Sequence, residues 1–233
     1  MDDLRELIRL IAKKLSLYVD ENKCLPRLST LLSKSEVNRL YYKMRNDIGE
    51  DSSVYVPQWS YFYILLFRYY GLHTIHPRWA AHADMMKANN TYSSSSMLKY
   101  IVESIINYTT REDPIIGKCL SIAWYHSRIA TFDPKHRANI DINEFLTKII
   151  YDGQKKRELR KGCSPLIIIN MLWGALSHLL LDYFQNRLYS TGSGSNSNVN
   201  IQLLIKYAHY YIDGLSETRC FDKSVASSSQ TKD

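Results

Sequence analysis

The chain has 233 residues, of which 45% are hydrophobic and 23% charged, a globular composition that supports a core without disulfide or metal staples. Its 9 glycines and 6 prolines are too few turn residues for a many-stranded β fold, so helices are expected. The formal charge of +7, from 30 basic and 23 acidic residues, suits a nucleic acid or an acidic partner without requiring either.

From the N-terminus, residues 3–19 (DLRELIRLIAKKLSLYV) place Leu4, Leu7, Ile8, Ile11, Leu15 and Val19 on one helical face, with Arg5, Arg9, Lys13 and Lys14 off it. After DENK, Leu25 to Leu32 reads as a short second helix, with Pro26 suited to its first turn. Ser33 and Glu36 then fit a capping box, with Ser35 as a rival cap, opening a third helix whose buried stripe is Val37, Leu40, Tyr41 and Met44. Asn38, Arg39, Tyr42, Lys43 and Arg45 are left on or near its outer face. Residues 21–45 hold six basic side chains (Lys23, Arg27, Lys34, Arg39, Lys43, Arg45) against Glu21 and Glu36. Three short helices ending in one rich in Arg, Lys, Asn and Tyr suit a helix-turn-helix. Asn can read adenine and Arg guanine, and hydroxyls and cations hold phosphates. A three-helix bundle with a solvated basic face fits the same pattern.

Residues 47–57 are polar and read as a hinge or loop; Gln58–Tyr70 reads as an aromatic helix. Gly71 and Pro77 bracket a bend, after which Pro77–Lys87 resumes a helix. NNTYSSSS is a loop, and Ser95 or Ser96 caps a helix over Met97–Tyr108. TTREDP is a break, Ile115–Ala130 a helix, FDPKHRANID a loop, and Ile142–Leu159 a helix. Ser164–Gln185 is the longest nearly charge-free stretch, apolar on more than one face, so it must be covered on several sides. Its core, 166–181, falls short of the roughly 20 residues of a membrane span and is interrupted by Asn170, Ser177 and His178, so a buried helix and no membrane partner are expected. A Ser/Gly/Asn loop leads to a last amphipathic helix, Ile201–Leu215, with its seam at Ile201, Leu204, Ile205, Ala208 and Ile212, and a polar tail follows Ser216.

Residues 141–215 resemble the C-terminal regulatory part of TetR-family transcription regulators. The resemblance rests on Gly153, Gln154, Glu158, Leu159 and Arg160, matching a G-Q-x-x-G-E-L-R-like helix end with Arg157 where glycine is usual. It also rests on an L-x-G-x-L-x-x-L-like helix over Leu172–Leu179 and a close at Asp213-Gly214-Leu215. At the N-terminus, Arg39-Leu40-Tyr41-Tyr42-Lys43-Met44 is similar to the family's T-L-Y-x-x-F segment. The resemblance implies that Tyr41 contacts a phosphate, that Leu40 and Met44 pack the small domain, and that Asn38, Tyr42 and Lys43 face DNA. Ser33-Lys34 stands where the family keeps a turn glycine, and Asp47 where it keeps a lysine.

The expectation is therefore an all-α chain with a divergent helix-turn-helix domain over 1–46, a helical ligand-binding and dimerisation domain over 47–215, and a disordered tail over 216–233. The DNA-binding residues are Lys34, Ser35, Asn38, Arg39, Tyr41, Tyr42 and Lys43. Aromatics in the middle region can wall a pocket for a small apolar or aromatic ligand, here Phe67, Tyr70, Trp124 and His126. Leu172, Trp173, Leu176, Leu179, Tyr183, Ile205 and Ile212 are assigned to a homodimer interface, which would set two recognition helices on a palindromic duplex. The alternative is a dimeric helical adaptor without DNA binding, which the turn and Asp47 departures favour. No catalytic motif, metal motif or cofactor fingerprint is present: His73, His76, His82 and Asp84 have no firm ligand spacing. Cys24, Cys119, Cys163 and Cys220 form no C-x-x-C pair, and the charged N-terminus lacks a signal peptide's apolar centre, so a cytoplasmic setting is expected.

Overall fold

The computed structural model describes residues 2–22, 26–48, 66, 70–71, 74–126, 137–184 and 197–216, and they are all-α, with no strand among them. The helices are α1 (Asp2–Asn22), α2 (Leu28–Leu31), α3 (Lys34–Ile48), α4 (His76–Ala88), α5 (Ser94–Asn107), α6 (Pro114–His126), α7 (Arg137–Lys155), α8 (Pro165–Phe184) and α9 (Ser197–Leu215), with a π-helical turn over Tyr108–Glu112. The expected hinge over 47–57, most of the aromatic helix over 58–70, and the tail beyond Ser216 lie outside the described residues.

The expected apolar face of α1 is the buried one: Leu7, Ile8, Ile11 and Leu15 are all at most 2% exposed. That face packs chiefly on α6, with further contacts to α2 and α3. Its side chains join a hydrophobic cluster that runs through every helix from α1 to α9. Around this cluster α6 packs on α8, α9 on α5, and α7 on both α5 and α8.

The capping box at α3 forms as its sequence predicts. The Ser33 N–H donates to Glu36 Oε2 at 2.7 Å and the Glu36 N–H to Ser33 Oγ at 3.2 Å. Lys14 of α1 adds a 2.9 Å ion pair to the same carboxylate. That ammonium and the cap hold the Glu36 carboxyl below the usual carboxylate range.

Other boundaries differ from expectation. Helix α5 starts at Ser94, capped by Ser93 and not by Ser95 or Ser96; Ser93 Oγ accepts from the Ser96 N–H at 3.0 Å. The Glu158 carboxylate selects that start from outside, accepting the Ser94 N–H at 2.5 Å at the positive end of the helix. Helices α7 and α9 begin at Arg137 and Ser197, inside segments expected to be loops. Helix α2 is a single turn, shorter than the predicted Leu25–Leu32.

TTREDP is a π-helical turn followed by a cap. The Asp113 N–H reaches back five residues to Tyr108 O at 2.8 Å. Thr109 and Thr110 turn their hydroxyls onto the carbonyls of Ile105 and Ile106, at 2.7 and 2.6 Å, which satisfies acceptors that widening the helix releases. Asp113 is 4% exposed and begins α6 with Pro114 in the first turn. Its carboxylate accepts from the Ile116 N–H at 3.4 Å and pairs with Arg9 of α1 at 3.3 Å.

In the segment from Gly153 to Arg160, which leads from α7 toward α8, Gly153, Gln154, Arg157, Glu158, Leu159 and Arg160 each have a structural task. A Cβ on Gly153 would stand 2.6 Å from Ser94 Cβ and 2.8 Å from Leu159 Cδ1. The Glu158 N–H bonds Gly153 O at 2.8 Å and the Arg157 N–H bonds Gln154 O at 3.2 Å, the two bonds of a Schellman motif. That motif puts Arg157 at φ 62°, where glycine is favoured. Gln154 Nε2 donates to the carbonyls of Arg160 (2.8 Å) and Cys163 (2.7 Å), fixing the loop into α8. Leu159 is fully buried, and the Arg160 N–H bonds Leu215 O at 3.0 Å, tying the loop to the end of α9. Arg157→Gly should therefore stabilise the chain by about 1 kcal/mol by removing left-handed strain from a non-glycine residue. A melting temperature raised by roughly 2–4 °C is expected in a thermal scan.

Helix α8 is longer than its apolar core suggested. It spans 20 residues, and an 18-residue window within it has mean hydropathy 1.5 with 39% of its residues buried. By length and composition alone it is long and apolar enough to cross a membrane. Asn170 and His178 lie on its exposed side.

Candidate nucleic-acid interface and neighbouring surfaces

Lys34, Ser35, Asn38, Arg39 and Tyr42 are all exposed on α3. Their spacing (i, i+1, i+4, i+5, i+8) makes one stripe along the helix. Leu40 is 2% exposed and Val37 half-buried on the opposite side, which anchors the helix while the stripe faces outward. Tyr42 is 67% exposed. The side chains of Tyr41 and Lys43 lie outside the described residues.

Of the four residues expected to line a ligand pocket, Tyr70 does line an internal cavity. Phe67 and the side chains of Trp124 and His126 lie outside the described residues. The cavity holds about 20 Å3 and is walled by apolar groups including Leu66, Ile75, Trp79, Ile105, Leu120 and Trp173. That is space for about one water, far below the roughly 300 Å3 at which small-molecule pockets begin. An organic ligand can enter only if the walls move apart. Burial, and then the nearby Asp113 charge, push the Tyr70 phenol up to about 12, so it stands neutral in the wall. The neighbouring Tyr108, whose ring centroid is 5.9 Å from that of Tyr70, is raised for the same first reason.

Among the residues assigned to a dimer interface, Leu172, Trp173, Leu176 and Ile212 are 2%, 5%, 1% and 0% exposed. They fill the chain's own core and are not on a surface that a second copy can meet. Leu179, Tyr183 and Ile205 are half-buried at the edge of that core. The apolar surface that α8 leaves open consists of Leu166, Ile167 and Met171, each just over half exposed. Gly174 continues it: a Cβ there would meet nothing within 4 Å. His178 extends the same side, with 72% of its side chain exposed, and Asp182 lies 3.6 Å from its Nε2. Tyr207 and Tyr210 are exposed on α9.

No cluster of three potential metal ligands occurs among the described residues. His76 packs edge-on against Phe145, His82 stacks on Tyr100 with centroids 3.5 Å apart, and Asp84 pairs with Lys87. His73 lies outside the described residues. Cys119 is fully buried, which pushes its thiol well up, whereas Cys163 is exposed.

No family model, curated protein or solved structure matches the chain.

Proposed function

We propose that the chain is a TetR-like, dimeric DNA-binding transcription regulator acting in the cytoplasm, a repressor released when a small apolar or aromatic ligand enters the middle of the helical body. The observation that carries this reading is the loop from Gly153 to Arg160. The family-like residues there each perform a distinct structural task, and Arg157 occupies a left-handed position, which accounts for a glycine being usual at that place. The exposed stripe of α3 supports the DNA half of the proposal, with α1 to α3 as the helix-turn-helix. In the free dimer the two α3 helices would sit at operator spacing. A ligand that prefers a widened cavity would bias a different spacing, with leverage equal to its differential affinity for the two states.

A dimeric adaptor is the second reading, and the single-turn α2 favours it, because a helix of four residues is a slight support for a recognition helix. Binding to random-sequence duplex DNA, followed by fluorescence anisotropy at several salt concentrations, separates the two. A regulator loses affinity steeply as salt rises, because lysine and arginine contacts release counterions from phosphates. The Arg39→Ala and Lys43→Ala double variant should weaken binding at least tenfold while the oligomeric state stays unchanged. Absence of binding even at low salt rejects the regulator and leaves the adaptor.

A further inference from the structure

A groove of about 410 Å3 runs between α4 and α7, lined by Ala83, Lys87, Tyr92, Phe145, Lys148, Ile149, Asp152 and Lys156. It is distinct from the internal cavity, and its volume falls in the roughly 300–1,000 Å3 range of small-molecule sites. We propose that it binds a small aromatic monoanion, a flat ring bearing one carboxylate, independently of whether the chain binds DNA.

Three features lead there. Ala83, Phe145 and Ile149 supply apolar lining, and Phe145 is held in place by stacking on Trp79, with centroids 6.3 Å apart and planes 20° from parallel. Such a wall accepts a flat ring.

The second feature is the charge around that wall. Lys87 Nζ and Lys156 Nζ lie 5.7 and 5.4 Å from the centroid of the same ring, Tyr92, so two ammonium groups gather on one aromatic. Among the described residues neither Lys148 nor Lys156 has an ion-pair partner, and Lys87 has only an exposed 3.4 Å contact with Asp84. The groove's own lining sets three lysines against one carboxylate, Asp152, a net charge of +2, while Asp84 beside Lys87 and Glu158 beside Tyr92 stand outside that lining. Like charges held together repel, and an anion bound among them relieves that repulsion.

The third feature is pre-organisation. Lys148 and Asp152 lie four residues apart on one side of α7, and Lys156, in the turn just past its end, is tied to Asp152 by a 3.0 Å bond from its N–H to Asp152 O. Tyr92 is packed against the hydrophobic core, so the ring that gathers the two cations is fixed before any ligand arrives. Asp152 remains available to accept a hydrogen bond from a donor on the ligand's ring.

The test is calorimetric titration of the full chain with 2-naphthoate, with acetate and 2-naphthylmethanol as the anion without the ring and the ring without the anion. 2-Naphthoate should bind at least tenfold more tightly than either. The Lys148→Ala and Lys156→Ala double variant, which removes two exposed side chains and should keep the wild-type melting temperature, should weaken it at least tenfold. Tyr92→Ala should weaken it as well. Equal affinity for 2-naphthoate and 2-naphthylmethanol would make the groove a merely apolar site and overturn the proposal. So would unchanged affinity in the folded double variant, or displacement of 2-naphthoate by duplex DNA, which would give the lysines to a phosphate backbone instead.

Discussion

Gly117→Ala should cost the chain about 3 kcal/mol or more, a larger loss than overpacking usually brings. A Cβ at this position would lie 2.0 Å from Thr109 O and 2.6 Å from Thr109 C, both backbone atoms. No side-chain rotation relieves such a contact. Either α6 moves off the π-helical turn or the turn itself deforms, and Thr109 and Thr110 lose the carbonyl bonds that make the widened helix tolerable. A melting temperature lowered by roughly 10 °C is expected, with a matching drop in the urea midpoint. An alanine variant as stable as the wild type would mean that the π-helical turn and α6 are not in contact. Gly174→Ala is the internal control: its Cβ enters open space, and the change should be neutral or slightly stabilising, because alanine is the better helix former.

Met171→Asp should convert a dimer of this chain to monomers without unfolding it, whereas Leu176→Asp should unfold it. The contrast follows from position alone. Met171 is 52% exposed and Leu176 1% exposed on the same helix. A carboxylate at 171 faces water in the monomer, but in a two-fold interface it is desolvated and set near its own copy, a cost of about 3 kcal/mol or more than a hundredfold in dimer affinity. Sedimentation velocity reads the oligomeric state and circular dichroism the fold. A Met171→Asp protein that stays dimeric would remove α8 from any dimer interface. Gly174→Leu sharpens the comparison, since it adds bulk where the isolated chain has room and where only a second copy would object.

The helices were legible in the sequence wherever one physical cause dominates. The 3.6-residue spacing of Leu7, Ile8, Ile11 and Leu15 needs only one partner to be satisfied, and the Ser33–Glu36 box is a contact over three residues. What was illegible depended on distant chain. Four consecutive serines, 93 to 96, offer near-equivalent caps, and the choice is made by Glu158, 64 residues away. The π-helical turn looked like a break because threonines and an Asp-Pro pair usually end helices; the carbonyls that accept their hydroxyls are not visible as a pattern. Helix α8 is apolar all round, so its sequence announces several covered sides without saying which belongs to its own chain. Packing on α6 decides that, and it takes Leu172, Trp173 and Leu176 inward. On the candidate DNA face, helical spacing placed Asn38, Arg39 and Tyr42 outward, as found. The lysine groove was missed because Lys87, Lys148 and Lys156 each read as part of an ordinary solvated face until the fold brings two helices side by side.

Helix α1 has a mechanical consequence. It is roughly 30 Å long at 1.5 Å per residue, and it is registered on α6 at two separated points, Arg9 to Asp113 at 3.3 Å and Asp20 to Lys118 at 2.5 Å. The ion pairs are partly exposed and individually weak, but between them the apolar side chains of α1 are locked into the shared core. A rod fastened at two places cannot pivot about either one. Lys14 joins α3 to that rod. Helices α1, α3 and α6 are thus linked in series, with α1 held on α6 more firmly than α3 is held on α1.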